Sequence, residues 1–190
     1  AITGPVLEKC SQLNVVELDR DLIPILQKKF QQYPNFHIHQ GDALKTDFGQ
    51  FYLEGKPLRI IGNLPYNIST PLMFHLLSFS GQIHDMYFML QKEVVTRLAA
   101  APREKNYGRL SVMVQYYCKV QPLFQVPPSA FRPAPKVESA IVRLLPYPEP
   151  PYPADDLQLL SRLVRTCFQQ RRKTIRNTLK LMLKAEQLEQ

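Results

Sequence analysis

The sequence predicts an α/β fold: a mainly parallel sheet with a closing antiparallel pair, followed by a small helical segment. Three observations carry that expectation. Apolar, β-branched runs alternate with segments of helical periodicity through the first half of the chain, and these runs end in hydrogen-bonding side chains. A proline-rich stretch then separates this region from a basic amphipathic tail. With 190 residues and 45% hydrophobic composition, the chain can bury one sizeable core.

Taken in order, residues 3 to 10 place Val6 and Leu7 on one helical face. "NVVEL" (14 to 18) predicts a strand ending at Glu17. A helix follows, capped by Asp19 or Asp21, with Leu22, Ile25, Leu26 and Phe30 at helical spacing and Pro24 tolerated in the first turn. "FHIHQ" (36 to 40) is the next strand and runs into Gly41 and Asp42. "PLRIIGNLPY" supplies another, and "STPLMFHLLSF" a helix capped by Ser69 or Thr70 with Pro71 near its first position. "DMYFMLQ" and "KEVVTRLAA" repeat the alternation. Such β-α units build a parallel sheet covered on both faces, whose sites gather at the carboxyl ends of the strands.

After Gly108 the pattern changes. "RLSVMVQYYCKV" and "SAIVRLL" read as strands flanking the proline-rich "FQVPPSAFRPAPKVE", and they are expected to form the closing antiparallel pair. "PYPEPPYP" (146 to 153) has the composition of a semi-rigid linker. The division expected is a core over 1–148, a linker over 149–154 and a helical segment over 155–190. In that segment Leu157, Leu160, Val164, Cys167 and Phe168 share one helical face, and Ile175, Leu179, Met182 and Leu183 another. Eight basic residues and no acidic one lie between Leu157 and Lys184, matching the net charge of +8.

That charge, with a pI near 9.5, favours a polyanionic partner such as nucleic acid. Cys10, Cys118 and Cys167 form no CxxC pair and follow no secretory signal, so a reducing, cytoplasmic compartment is expected, with the thiols acting as small buried apolar groups. The apolar stretch "TPLMFHLLSF" is broken by polar residues and falls short of the ~20 needed to cross a bilayer, so no membrane partner is expected. His37 and His39 alternate on one strand face without a third ligand nearby, and no metal is expected. His75 and His84 read as packing or surface residues.

Glu17, Asp42 and Asn63 each stand at a strand end and would open into one crevice. A strand-end carboxylate can accept from both hydroxyls of an adenosine ribose. Asn63 to Tyr66 is the sharper signal. Leu64 precedes a proline and is held extended, and Pro65 has no N–H to compete for its acceptors. The Asn63 side-chain oxygen and the Leu64 carbonyl can together receive both hydrogens of an exocyclic amine, while the Tyr66 ring offers a stacking face. Accepting those hydrogens favours a pyramidal amine and restores its lone pair for attack on a methyl donor held in line.

With these residues the chain resembles the ribosomal RNA adenine dimethyltransferases of the KsgA family. "VVELDRDL", "GDAL", "GNLPYNISTPLMFHLL", "MLQKEVVTRL", "YGRLSV", "VPPSAFRPAPKVESAIVRL" and "RRKTIRNTL" fit in order over nearly the whole chain. The resemblance implies a Rossmann-like methyltransferase sheet and S-adenosylmethionine as cofactor. It further implies dimethylation of two adjacent adenosines near the 3′ end of small-subunit rRNA, by a monomer acting on a ribosomal particle. Glu17 would then bind the cofactor ribose and Asp42 its adenine amine, with Leu18 and Ala43 along the ring. Asn63, Leu64, Pro65 and Tyr66 would hold the target base, Asn63 also bordering the cofactor. Phe131 would be the second aromatic wall, and Arg171, Arg172, Lys173 and Arg176 would meet the rRNA backbone.

The family's glycine-rich E-x-G-x-G loop and first strand are absent from the sequence, as is the end of its helical domain. A fragment is expected, with weak or absent cofactor binding if the chain stands alone. Three alternatives are carried forward. A DNA adenine methyltransferase would use an Asn-Pro-Pro-Tyr or Asp-Pro-Pro-Tyr element, where Leu64 stands in place of the first proline. The other two are a methyltransferase of large-subunit rRNA and a non-catalytic RNA-binding assembly factor that keeps the fold.

Overall fold

In the computed structural model the described residues are 2–65, 67–169 and 173–180. The first strand, β1 (Leu13–Glu17), is preceded by a short helix, α1 (Thr3–Leu7), and followed by α2 (Leu22–Phe30) and β2 (Phe36–Gln40). β1 and β2 pair in parallel, with Glu17 opposite Gln40. Asp21 is the N-cap of α2 by backbone position, but its side chain makes no capping bond. Asp19 provides the turn instead, its Oδ1 accepting from the Asp21 N–H at 2.9 Å.

Four more strands form a second sheet in the order β3 (Leu58–Asn63), β4 (Ile83–Gln91), β6 (Ser139–Pro146), β5 (Cys118–Val126). β3 and β4 are parallel, whereas β6 runs antiparallel to both β4 and β5. The expected single sheet is therefore divided: among the described residues β1 and β3 are each paired on one side only. What joins the two parts is packing. Val16, Ala43, Leu44 and Phe51 rest against the core of the larger sheet.

That core lies on one face of the four-stranded sheet. Met86, Phe88 and Leu90 of β4 alternate with half-exposed neighbours, as a strand's two-residue period requires, and meet Val142 and Leu144 of β6. The covering layer comes from α3 (Ser69–Leu77), α4 (Lys92–Ala99) and α5 (Arg109–Tyr117), through Leu72, Met73, Leu76, Leu77, Val95, Leu98 and Val114. Each such side chain contributes ~1.5–3 kcal/mol on full burial. The opposite face is open in places: Ile61 is 46% exposed and Arg59 and Asn63 are exposed.

Two expectations are corrected. The segment from Arg109 was expected as strand, yet Arg109–Tyr117 is helical and β5 begins only at Cys118. Its sequence also carries a helical stripe, Leu110, Met113, Val114 and Tyr117, and tertiary contacts select it. The Gly108 N–H donates to Ser111 Oγ at 3.1 Å, Ser111 Oγ donates to the Arg97 carbonyl, and Gln115 Nε2 donates to the Leu98 and Ala100 carbonyls. α5 is thereby bound to the end of α4, whose last carbonyls it satisfies. Consequently "FQV" closes β5 rather than opening the proline-rich loop, which runs from 127 to 138. Strand β5 also carries a bulge at Leu123, between Pro122 and Phe124, where an edge strand tolerates a missing N–H.

The second correction concerns α3. Its N-cap is Ile68, not Ser69 or Thr70, and no side chain caps it.

After β6, the Tyr147 N–H donates to the Tyr117 carbonyl at 2.8 Å and the Ala154 N–H to the Tyr116 hydroxyl at 3.0 Å, so the proline-rich linker is pinned to the end of α5. α6 (Leu157–Gln169) is capped by Asp156, whose Oδ1 accepts from Gln158 and Leu159. Phe168 meets Tyr107 edge to face at 6.0 Å. α7 (Ile175–Leu179) is capped by Thr174. Ile175 is 67% exposed and Leu179 half-buried; Met182 and Leu183, placed with them by periodicity, lie outside the described residues.

Candidate active site

The parallel pairing of β1 and β2 brings two carboxylates to adjacent strand ends. The Gly41 N–H donates to the Glu17 carbonyl at 2.9 Å, continuing the ladder just before Asp42. Glu17 Oε1 accepts from the Asp19 N–H at 2.9 Å, and Asp42 Oδ1 from the Leu44 N–H at 2.9 Å. Each half-buried carboxylate thus commits one oxygen to its own turn. The other oxygen has no partner among the described residues, leaving one acceptor free at each strand end. Leu18 beside Glu17 is 69% exposed, and Ala43 beside Asp42 packs on the core.

β3 ends at Asn63, opposite Met89 of β4. Asn63 is exposed and its amide makes no hydrogen bond among the described residues. The next residue turns inward: Leu64 is 7% exposed and its N–H points to the Met89 carbonyl at 3.4 Å. The Leu64 carbonyl receives nothing among the described residues. Pro65 is exposed, and its own carbonyl accepts from the Ile68 N–H at 3.2 Å, leading the chain into α3. Tyr66 lies outside the described residues.

Strand register places the 127–138 loop at the same end of the sheet. Ser139, where the loop enters β6, stands opposite Gln91 of β4 on one side and Val126 of β5 on the other. Phe131 in that loop is half-buried, its N–H donating to the Pro128 carbonyl at 3.1 Å. The loop is fastened to the start of α4 by the Lys92 N–H, which donates to the Glu138 carbonyl at 2.9 Å, and by the Lys92–Glu138 ion pair at 2.7 Å. Lys173 and Arg176 are exposed on the helical segment beyond the linker, whereas Arg171 and Arg172 lie outside the described residues.

The principal electrostatic feature was not foreseen. Asp85 is fully buried, and Arg59 grips it with two N–H···O bonds of 2.9 Å while Arg143 adds a third at 2.9 Å. Both guanidinium groups also stand over the Tyr87 ring, at 5.9 and 5.5 Å. Burial pushes the Asp85 carboxyl up, but the hydrogen bonds from Arg59 and Arg143 outweigh it and hold the group below the usual carboxylate range. The cluster straddles β3, β4 and β6 four residues before Asn63 on β3, so it braces the strand rather than facing the site. His39 Nε2 lies 3.0 Å from Asn14 Oδ1, and its ring is 4.6 Å from that of Phe51.

The family profile described as ribosomal RNA adenine dimethylase matches residues 1–190. A ribosomal RNA small subunit methyltransferase A of Marinobacter nauticus is 64% identical over 189 residues, which cover 100% of this chain and 68% of that protein. Among solved structures, a dimethyladenosine transferase from Plasmodium falciparum is 32% identical, with a TM-score of 0.78 over 94% of this chain and 63% of that one. The 23S rRNA methyltransferase ErmE is 25% identical, with a TM-score of 0.74 over 99% and 74%.

Proposed function

The chain belongs to the ribosomal RNA adenine dimethylase family, and from that membership we propose that it dimethylates the N6 amines of two adjacent adenosines near the 3′ end of small-subunit rRNA, with S-adenosylmethionine as donor. One observation carries the chemistry: the Asn63 amide and the Leu64 carbonyl, on consecutive residues at the end of β3, have no partner among the described residues.

The strand-end carboxylates fit the cofactor, because each keeps one acceptor oxygen free. Glu17 takes the ribose hydroxyls and Asp42 the adenine amine, with Leu18 and Ala43 along the ring. When bound, the cofactor would supply a methyl group on a positively charged sulfur, which would leave as a neutral thioether as its S–C bond breaks. Asn63 Oδ1 and the Leu64 carbonyl accept the two hydrogens of the target amine and favour a pyramidal nitrogen with its lone pair available. Pro65, lacking an N–H, leaves both acceptors uncontested. Tyr66 and Phe131 sandwich the base, which must leave its stack to arrive there. An amide in place of a carboxylate polarises the amine without removing its proton beforehand; that proton passes to solvent once the N–C bond forms.

Residues 1–148 form the catalytic core, 149–154 the linker and 155–190 an RNA-binding helical segment. There Arg171, Arg172, Lys173 and Arg176 neutralise phosphates of a ribosomal particle. The protein acts as a cytoplasmic monomer. Likeness in fold to ErmE leaves large-subunit rRNA as the rival substrate, and the 64% identity to a small-subunit enzyme favours the first reading.

The test offers the full-length protein labelled S-adenosylmethionine with undermethylated small subunits, large subunits or duplex DNA. Label is expected only on small-subunit rRNA adenosines. Transfer to large-subunit rRNA or to DNA instead contradicts the proposal.

A further inference from the structure

His75 lies in the last turn of α3, the helix that follows the Asn63 to Tyr66 segment. Its ring meets Phe48 and Phe79 edge to face, at 5.9 and 5.4 Å. Nε2 lies 2.8 Å from the Thr46 carbonyl oxygen. A carbonyl oxygen only accepts, so Nε2 must carry a hydrogen and donate it.

Thr46 in turn closes a loop on Asp42. The Thr46 N–H and hydroxyl donate to the Asp42 carbonyl at 3.0 and 2.9 Å, joined by the Lys45 N–H at 2.9 Å. At the other end of the loop the Leu44 N–H fixes Asp42 Oδ1, which sets the direction of the second carboxylate oxygen. The histidine therefore holds the far side of the turn whose near side presents Asp42. Phe48 and the aliphatic part of α3 belong to the core, so this anchor is rigid where the loop is half-exposed.

We propose that His75 is a positioning residue for the cofactor site: its hydrogen bond to Thr46 locks the Asp42 loop against the helix that follows the target-base segment. The inference rests on the reading of Asp42 given above. Packing and hydrogen bonding can be separated by substitution. His75→Phe keeps an aromatic ring between Phe48 and Phe79 but removes the donor. His75→Gln keeps an N–H donor near the Nε2 position but loses the ring contacts.

Titration calorimetry of the full-length protein with S-adenosylmethionine, beside thermal unfolding, tests this. His75→Phe is expected to raise Kd about fivefold to tenfold, the effect of leaving one carbonyl unpaired and its loop untied. His75→Gln should stay within about twofold of the parent in Kd while unfolding at a lower temperature than His75→Phe. Affinity and stability thus rank the two variants in opposite orders, which a purely structural role does not produce. An unchanged Kd in His75→Phe, or a His75→Gln variant that binds no better than His75→Phe, overturns the inference. Asp42→Asn is measured alongside. If it binds as the parent does, the reading of Asp42 falls and the inference falls with it; if it weakens binding while His75→Phe does not, only the inference falls.

Discussion

Leu64 folds its side chain back over Gly62: a methyl group built on Gly62 would sit 2.7 Å from Leu64 Cδ2 and 3.5 Å from the ring of Phe88. The glycine is needed for space, so that the residue after Asn63 can bury its side chain while leaving its carbonyl free. Gly62→Ala should displace the Leu64 side chain at a cost of about 1 kcal/mol, the low end for overpacking a core, since the clash is with a side-chain methyl. In the proposed site Leu64 meets the target amine and not the cofactor, so methyl transfer should fall more than cofactor affinity does. Denaturant midpoints and single-turnover rates on the same variant check both halves.

Asp85 depends chiefly on its two arginines, with His84 Nε2 more distant at 4.0 Å from Oδ2. Removing the carboxylate leaves Arg143 short of a partner, with its Nε already unpaired among the described residues. Asp85→Ala should cost about 3–5 kcal/mol, as for other broken buried pairs. Arg59→Ala should cost less, about 1 kcal/mol, since that side chain is 60% exposed and solvent replaces part of the interaction. The pH dependence follows from the direction of the shift. Asp85 is held below its unfolded value, so its contribution is fully present above ~pH 4 and is lost as pH falls through the depressed value. Urea midpoints of the parent and Asp85→Asn should therefore converge as pH is lowered from 6 toward 2, that range being roughly the span of carboxylate titration.

Cys118 is fully buried between α5 and β5, and burial pushes its thiol up to about 12. Cys10 and Cys167 are only half-buried, contrary to the expectation that all three thiols serve as buried apolar groups. A thiol reagent at about pH 8 should modify the half-buried Cys10 and Cys167 in the native protein and reach Cys118 only after unfolding. Native labelling of Cys118 would show that α5 opens locally.

The β-α alternation was legible because each element announces itself locally. β1 and β2 are short β-branched or alternating runs closed by Glu17 and by Gly41 with Asp42, and α2 carries its apolar residues at helical spacing. The candidate site at the end of β3 is legible for the same reason: Asn63, Leu64 and Pro65 are consecutive, and the chemistry proposed for them needs no distant partner. α5 was misread because Val112, Val114 and the paired tyrosines suit a strand as well as a helix. The choice is made by Ser111 and Gln115 binding carbonyls at the end of α4, 14 to 17 residues earlier. The Asp85 cluster has no local signature at all, since its partners lie 26 and 58 residues away. From the sequence His75 reads as a packing or surface residue, and its ring packs on Phe48 and Phe79; its hydrogen bond to Thr46 spans 29 residues and shows only once α3 and the Asp42 loop are together.

The most direct test of the account is the single-turnover rate of Asn63→Ala in the full-length protein, at saturating S-adenosylmethionine on undermethylated small subunits. Loss of one of two acceptors for the target amine should slow methyl transfer at least ~100-fold, the scale seen when one preorganised hydrogen-bonding group is removed from a reacting centre. A rate equal to the parent's would contradict the claim that the end of β3 activates the amine.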